Sequence, residues 1–395
     1  MDRSSPGASE FARIEAAPIS NRMGRGWHCL GKVGPFRDGK PHTIEAFGSK
    51  LVIFQTESGQ LVVLDGFCPH MGASLGEGEV KGESIACPFH DWRWGVDGRC
   101  TLVPYAKRMP ARARIRSWPI MERNKLLFLW YDPEGLPPPD DIVIPEIENL
   151  DTEWSDWIET VHDVHTHPRE LVDNLVDAAH FFYVHGSGVG FTATFFGNLF
   201  EDHVGWQFME SREPGEVAYD QMAAGVKVDE ISGMRGEACY IGPAYLHSRV
   251  MRNYDGIKEE YYIVLAQIPV APEFFKLHMI ITVRKDPALN EEENRIRAEA
   301  LERMTRMGTL QDVHIWKTKA RIDNPLLCDT DGPVYQLRRW YDQFFVDRAE
   351  VKPSMTDRFE YLTDTSHALP VWAEQAKAKL ATLSPEDLPE IMRRY

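Results

Sequence analysis

The sequence predicts an α+β protein with two domains, a small all-β domain followed by a larger domain that combines a sheet with helices. Short apolar runs separated by turn residues fill about residues 27–131, and Leu51–Phe54 and Leu61–Leu64 flank Ser58-Gly59 like the strands of a hairpin. Beyond Pro137–Pro139 the pattern changes to a mixture of strand-length runs and helical periodicity. The length of 395 residues leaves room for two or three domains.

Composition and charge exclude several classes of function. The chain has 60 acidic and 44 basic residues and a formal net charge of −16, which argues against binding to a nucleic-acid backbone. Apolar runs such as Ile263–Ala266 are far too short to span a membrane, and the N-terminus lacks the apolar core of a signal peptide. Six scattered cysteines argue against a disulfide scaffold. We therefore expect a soluble, cytoplasmic, metal-dependent protein.

The domain boundaries follow from shifts in composition. Residues 1–20 are small, polar and aperiodic, which predicts a flexible leader. The β domain is expected over residues 21–136, and the stiff polar run from Pro137 forms a linker. The second domain is expected over residues 140–395.

The second domain contains sequence signals for three helices. Leu171–His185 predicts a helix that Gly186 would end. Asn290 followed by Glu293 is a capping-box pattern, and a further helix is expected over Leu310–Lys319. Three other runs predict strands: Glu237–Ile241, Glu260–Ile268 and Lys276–Val283.

Two Cys–His pairs in the β domain form the first metal constellation. Cys68 and His70 lie in one predicted loop, and Cys87 and His90 lie in another. A zinc finger usually groups its cysteines before its histidines, so this interleaved order favours a Rieske [2Fe–2S] cluster with two thiolates on one iron and two imidazoles on the other. A zinc site, or four unrelated core residues, is the alternative.

A second constellation lies near the end of the first predicted helix. His180 and His185 are five residues apart, so both can reach one ion only where the helix ends or bulges. Two histidines and a carboxylate with open positions are typical of non-haem Fe(II) oxygenases. Asp312 is the candidate carboxylate, and Trp316, one helical turn later, would share its face. Taken alone, the histidines could instead be ordinary polar residues at a helix end.

Asp177 precedes His180 by three residues and is expected on the same helical face. Its carboxylate could accept the outer proton of the His180 imidazole and orient that ligand. It could also face a second histidine across a subunit boundary.

Several segments together resemble the oxygenase component of 3-ketosteroid 9α-hydroxylases, a family of Rieske non-haem iron oxygenases. The resemblance begins near Gly24 and covers both domains. The segments that carry it are Gly26–Gly31, Ala86–Trp94, Asp173–His185 and Asp331–Tyr341.

This resemblance implies a Rieske domain joined to a helix-grip-like catalytic domain with an antiparallel sheet, in a head-to-tail homotrimer. It implies that Asp177 links His180 to a cluster histidine of the neighbouring subunit, and that Asn174 lies close to the iron. The implied ligands are Cys68, His70, Cys87 and His90 for the cluster and His180, His185 and Asp312 for the iron.

The implied activity is hydroxylation of a 3-ketosteroid at C9, in the degradation of steroid lipids, with O₂ and electrons from a separate NADH-dependent reductase that carries flavin and an iron–sulfur centre. The alternatives are a different bulky apolar substrate, or a Rieske protein that only carries electrons. The expected substrate contacts are Val176, Gln207, Tyr240 and Trp316. Two features depart from the family pattern, His314 beside Asp312 and the segment from Gly186 to Asn198.

Overall fold

The structure of the protein is a computed structural model that describes residues 13–14, 16–17, 20–185, 192–212, 233–254 and 257–382. Gly186, the predicted helix stop, lies outside these residues, and so does most of the predicted leader. Among the residues described, no helix is both long enough and apolar enough to span a membrane.

The N-terminal domain is built from three small antiparallel sheets, with strand orders β3-β4-β5, β6-β7-β8-β9 and β10-β11-β2. The strands are β2 (Gly26–Lys32), β3 (His42–Ala46), β4 (Ser49–Gln55), β5 (Leu61–Asp65), β6 (Glu79–Lys81), β7 (Ser84–Ala86), β8 (Arg93–Gly95), β9 (Cys100–Leu102), β10 (Ile120–Arg123) and β11 (Leu126–Tyr131).

Strand β4 shows why these residues form a sheet that is buried on both faces. Side chains along a strand point alternately to opposite faces. Val52 and Phe54 accordingly pack into one hydrophobic core, while Leu51 and Ile53 pack into another on the opposite side. The first of these cores also contains Cys68 and both Trp92 and Trp94, so it supports the candidate cluster site.

An eight-stranded antiparallel sheet with the order β12-β18-β17-β16-β15-β14-β13-β20 dominates the second domain. Each of the three predicted strands lies within one of its members, which confirms those predictions and the α+β fold class. The strands are β12 (Ile158–Val164), β13 (Thr192–Glu201), β14 (Val204–Arg212), β15 (Gly233–Ile241), β16 (Tyr245–Tyr254), β17 (Ile257–Ala271), β18 (Phe274–Val283) and β20 (Phe359–Leu362).

One long helix covers this sheet where the sequence predicts two. The capping box is confirmed, because the Glu293 amide donates to Asn290 Oδ1 and the Asn290 amide donates to Glu293 Oε2, each at 2.9 Å. The division into two helices is wrong, because the helix continues from Glu291 to Thr318 and packs on the sheet at both ends, through Leu301 and Trp316. The described helices are α1 (Arg169–Val172), α2 (Ala179–Tyr183), α3 (Glu291–Thr318), α4 (Val334–Asp342), α5 (Pro353–Thr356) and α6 (Ala368–Leu380).

The single helix predicted over Leu171–His185 is also wrong. Helix α1 leads into a 3₁₀ turn over Asp173–Val176, and the chain then becomes extended at Asp177, with φ −101° and ψ 106°, before α2 begins. The periodicity of the segment is helical, but the local hydrogen bonds that Asp177 makes compete with continuation of the helix.

Part of the predicted leader has regular structure. Strand β1 (Arg13–Ile14) pairs in parallel with β19 (Arg321–Ile322), and the Ala17 amide donates to Asp323 Oδ2 at 2.7 Å. A two-residue strand has no periodicity that a sequence can reveal, which explains why the prediction missed it.

The two domains share one hydrophobic core. Trp27 and Trp130 of the β domain pack with Tyr245 and Val264 of the large sheet. Polar contacts add to this core, because the Arg25 guanidinium donates to the Gln343 carbonyl oxygen at 2.9 Å. The position of the β domain relative to the large sheet is therefore fixed by burial.

We predict that Gly332→Ala lowers the free energy of unfolding by about 2 kcal/mol or more. Overpacking costs roughly 1–3 kcal/mol, and a backbone atom can move away from a clash less easily than a side-chain atom. A Cβ at this position would lie 1.9 Å from the carbonyl oxygen of Val176. Urea unfolding measures the effect. Gly34→Ala is the matched control because its Cβ would meet no atom within 4 Å, and equal unfolding midpoints for the two variants would contradict the prediction.

Candidate metal centres and substrate cavity

Two loops of matched conformation hold the Cys–His pairs of the β domain. The Cys68 carbonyl accepts from the Gly72 amide at 2.8 Å, and the Cys87 carbonyl accepts from the Asp91 amide at 2.9 Å. Gly72 and Asp91 both have positive φ, 81° and 53°, which closes each loop four residues after its cysteine. The two loops therefore present one thiol and one imidazole each from equivalent positions.

The four side chains fit a cluster with two sulfur and two nitrogen ligands. Cys68 and Cys87 are buried and free of disulfides, and the rings of His70 and His90 are 4.8 Å apart. Both histidine Nδ1 atoms are buried and make no hydrogen bond within the described part of the chain. Burial raises the pKa of the Cys68 thiol, so bound iron is the natural source of the positive charge that a thiolate needs there.

Aromatic side chains enclose this site. The Trp92 ring stacks on His70 with centroids 4.4 Å apart and an interplanar angle of 13°. Trp94 is fully buried behind it, and Trp92 Nε1 donates to Tyr105 Oη at 2.7 Å. These rings restrict solvent on one side of the imidazole pair, while Phe89 is exposed on the surface nearby.

His180, His185 and Asp312 come together in the second domain. One nitrogen or oxygen atom from each lies within 4.8 Å of the others, and His185 Nε2 is 3.4 Å from Asp312 Oδ2. Helix α2 ends at Tyr183, so His185 follows its end, and the His185 ring lies 5.1 Å from the His180 ring. Two imidazoles and one carboxylate around a common point can hold a divalent iron and leave positions open for O₂.

Asp177 fixes the tautomer of His180. The His180 Nδ1–H donates to the backbone carbonyl of Asp177 at 2.7 Å, which leaves Nε2 deprotonated and able to bind a metal. The Asp177 carboxylate instead accepts from the Ala179 and His180 amides, at 3.0 and 3.2 Å, and so caps α2. This carboxylate is 45% exposed, whereas the His180 side chain is 9% exposed.

The electrostatics of His185 and Asp312 suit a cation. Burial lowers the pKa of His185 to about 3, so its imidazole is neutral and can act as a ligand. Burial raises the pKa of Asp312 to about 6, and His180 only partly opposes this effect. A metal ion would stabilise the Asp312 carboxylate directly.

Two amide side chains lie beside these ligands. The Asn174 side chain lies beside Asp312, where it lowers the pKa of that carboxyl, and it lines the same cavity. Gln311 lies beside the His185 imidazole and was not predicted. Its position next to Asp312 in the sequence gives no signal, because adjacent helical residues do not share a face.

A cavity of about 450 Å³ opens between α3 and the large sheet and includes all three candidate ligands in its wall. Gln207, Tyr240 and Trp316 line it as predicted. Val176 does not: the 3₁₀ turn directs it into the hydrophobic core with Trp340, and its neighbour Leu175 lines the cavity instead.

The sheet floor of the cavity is arranged in rows that cross the strands. In one row, Gln207 of β14 and Ser248 of β16 flank Ala238 of β15. The Gln207 side chain is 7% exposed and makes no hydrogen bond to another described residue. Most of the other lining is apolar, and the lining residues that the sequence did not reveal include Ser248, Met209, Met234, Met304, Met307 and Lys379.

Comparison with known families accounts for both sites. The Rieske [2Fe–2S] domain model matches residues 26–119, and the 3-ketosteroid 9α-hydroxylase C-terminal domain model matches residues 129–345. The chain belongs to the 3-ketosteroid 9α-hydroxylase family of Rieske oxygenases. The cofactors of this family are a Rieske [2Fe–2S] cluster and a mononuclear non-haem iron, and the unpartnered His70 and His90 nitrogens and the His180–His185–Asp312 group suit them.

The similarity to known relatives covers almost the whole chain. A 3-ketosteroid-9-alpha-monooxygenase oxygenase component from Rhodococcus rhodochrous is 46% identical over 375 residues, covering 94% of this chain and 94% of that protein. One from Mycobacterium tuberculosis is 43% identical over 376 residues, covering 95% of each. The structure of Pseudomonas putida CBB5 NdmA with caffeine has the same fold, with a TM-score of 0.62, 16% identity and coverage of 84% of this chain and 95% of that one.

We predict that Asp312→Ala loses about one iron per chain while acid-labile sulfide and the visible spectrum of the cluster are unchanged, because only the mononuclear site loses a ligand. Iron and sulfide analysis of the purified protein measures this. His314→Ala is the control, since His314 is exposed two residues later on α3. Full iron content in Asp312→Ala, or equal loss in the control, would show that Asp312 is not a ligand.

Proposed function

We propose that this protein is the terminal oxygenase of a multicomponent monooxygenase that hydroxylates a 3-ketosteroid at C9. The observation that carries the proposal is the 46% identity, over 94% of the chain, to an oxygenase component with that activity in its name. A largely apolar cavity beside the candidate iron ligands supports a bulky apolar substrate.

We assign the ligands from the geometry of the two sites. Cys68, His70, Cys87 and His90 would hold the cluster, and His180, His185 and Asp312 would hold the iron. When bound, the cluster supplies electrons one at a time and the iron supplies the chemistry that activates O₂. The overall reaction places one oxygen atom of O₂ in a C–H bond to give C–OH and releases the other atom as water, and it consumes two electrons and two protons.

The chain itself positions the steroid and excludes water. The Gln207 amide can donate a hydrogen bond to the ketone oxygen, because it faces the cavity and has no other partner among the described residues. The Tyr240 ring on the sheet and the Trp316 ring on α3 both line the cavity and can pack against the flat ring system. Asn174 would hold the Asp312 carboxylate in place.

Electron transfer between the two metal sites would cross a subunit boundary in a head-to-tail homotrimer. The half-exposed Asp177 carboxylate supports this assignment, since it lies at the surface while the backbone of the same residue holds His180. A cluster histidine of the neighbouring subunit can then hydrogen-bond to Asp177, which connects it to the iron ligand through one residue.

The words 'oxygenase component' in the names of the relatives support a separate reductase, and the further properties of this reductase are our proposal. The electrons would come from a separate NADH-dependent reductase that carries flavin and an iron–sulfur centre, and the reaction would belong to the cytoplasmic breakdown of steroids.

We predict that the protein, supplied with O₂, NADH and a purified reductase of this family, converts 3-ketosteroids to products hydroxylated at C9. Mass spectrometry and NMR of the products identify the oxidised carbon. A panel that also contains bulky apolar molecules without a ketone tests the substrate class. Oxygenation of these molecules and of no steroid would overturn the proposed substrate.

We predict that Asp177→Asn retains full iron and sulfide but slows electron transfer from cluster to iron by about tenfold or more. The asparagine amide oxygen can still cap α2, so the variant removes the charge and preserves the fold. Single-turnover mixing of the reduced protein with steroid and O₂ measures the rate. Reoxidation of the cluster at the wild-type rate would contradict the proposed bridge.

A further inference from the structure

One stretch of the β domain has a charge opposite to that of the whole chain. Between Asp97 and Glu122 there are six Lys or Arg residues and no Asp or Glu, although the chain carries a net charge of −16. Five of these cations are exposed and form no ion pair with any other residue that the structure describes, and one of the five, Arg116, lies over the Trp118 ring at 3.5 Å, which leaves four without such a contact. These four, which we name the basic segment, are Lys107, Arg108, Arg112 and Arg114.

Cations elsewhere on the surface are commonly paired. Arg37 lies 2.7 Å from Glu122, and Lys125 lies 2.7 Å from Asp151. The basic segment therefore concentrates uncompensated positive charge at one place on an acidic molecule. Such a patch produces a potential that attracts an oppositely charged surface over roughly a Debye length, about 10 Å at 0.1 M salt.

The basic segment adjoins the candidate cluster site. Tyr105, two residues before Lys107, accepts a hydrogen bond from Trp92 Nε1 at 2.7 Å, and Trp92 stacks on His70. The Tyr105 ring is also 6.5 Å from the His90 ring. Because Tyr105 is 62% exposed, a protein bound at the segment would be separated from a cluster ligand by one or two side chains.

The backbone of the segment is held in place at its C-terminal end. The Cys100 amide donates to the Ala113 carbonyl at 3.0 Å, and the Ile115 amide donates to the Gly98 carbonyl at 2.9 Å. Ile115 is buried in the core that also contains Cys68 and Cys87. Arg112 and Arg114 therefore have a fixed position relative to the cluster site.

We propose that the basic segment is the docking site of the electron donor, a one-electron redox protein with carboxylates around its own redox centre. This rests on the proposed function only in requiring a separate donor. In each encounter one electron leaves the donor, which is oxidised, and one electron reaches the cluster, which is reduced, and no bond forms or breaks. Charge at such a site steers association and speeds it more than it tightens binding.

The character of the surface favours a transient partner over a second copy of this chain. Stable subunit interfaces are apolar and depleted in charge at their centre, whereas electron-transfer encounters are small, polar and short-lived. The basic segment is charged and exposed, with Tyr105 and Met109 as its exposed large hydrophobic residues.

The test is the double variant Arg108→Glu with Arg112→Glu, studied as the cluster-loaded full chain. The probe is a reduced plant-type [2Fe–2S] ferredoxin, and stopped-flow absorbance gives the second-order rate of cluster reduction. We expect the rate at low salt to fall about tenfold or more and its dependence on salt to weaken, since steering contributes roughly 10–10³-fold. Binding of oxidised ferredoxin, measured by calorimetry, should weaken in parallel, while reduction by dithionite should be unchanged.

The control is Arg339→Glu with Lys352→Glu, which changes the net charge equally at exposed positions of the second domain. An unchanged rate in the double variant, or an equal fall in the control, would overturn the proposal. Loss of the native oligomer in the double variant alone would also overturn it and would assign the segment to contact between copies. Lys107→Gln with Arg108→Gln, which removes charge without reversing it, gives the same comparison if the first variant does not load its cluster. Steroid turnover is not measured, so the outcome is independent of the proposed substrate.

Discussion

The interruption of the helical segment at Asp177 is the constraint on which the catalytic half of the protein depends. Two histidines five residues apart cannot share one face of a continuous helix, and they meet because the short helix that begins after the extended Asp177 ends at Tyr183, before His185. The same residue starts α2 with its carboxylate and orients His180 with its carbonyl. One residue therefore supplies the break, the cap and the ligand orientation, and its half-exposed carboxylate still reaches the surface.

The third candidate ligand depends on long-range packing. Asp312 meets the histidines because α3 packs on the sheet at two places along its length, through Leu301 in one hydrophobic core and Trp316 in another. An unbroken helix of 28 residues carries the carboxylate to a fixed place. The cavity is a consequence of the same arrangement, since it is the space left between this helix and the rows of side chains on the sheet.

The β domain has a different role, which is to hold the candidate cluster site in a fixed position. Two loops with the same hydrogen-bond pattern present their ligands, and the shared core around Trp27 and Tyr245 fixes the domain against the large sheet. This shared core does not use the surface around the basic segment, so that surface can contact other proteins. The basic segment is one such face.

The sequence by itself determined the chemistry. The spacing of Cys68, His70, Cys87 and His90 requires only local loops, and the capping box at Asn290 requires only four residues, so both could be predicted. Strands such as β15, β17 and β18 could be predicted because their apolar runs are long. The pairing of β1 with β19 and the place of Gln311 beside His185 have no local signal, because they depend on residues far away in the chain.

Only the tertiary structure decided which side chains meet. In the structure, the two helices predicted over the α3 region are one helix, and the helix predicted over Leu171–His185 is interrupted at Asp177. Leu175 lines the cavity and Val176 does not. Each change has the same physical reason. Periodicity reports which residues prefer burial, but burial against the sheet and hydrogen bonds to the backbone decide where a helix ends and which face it turns to the cavity.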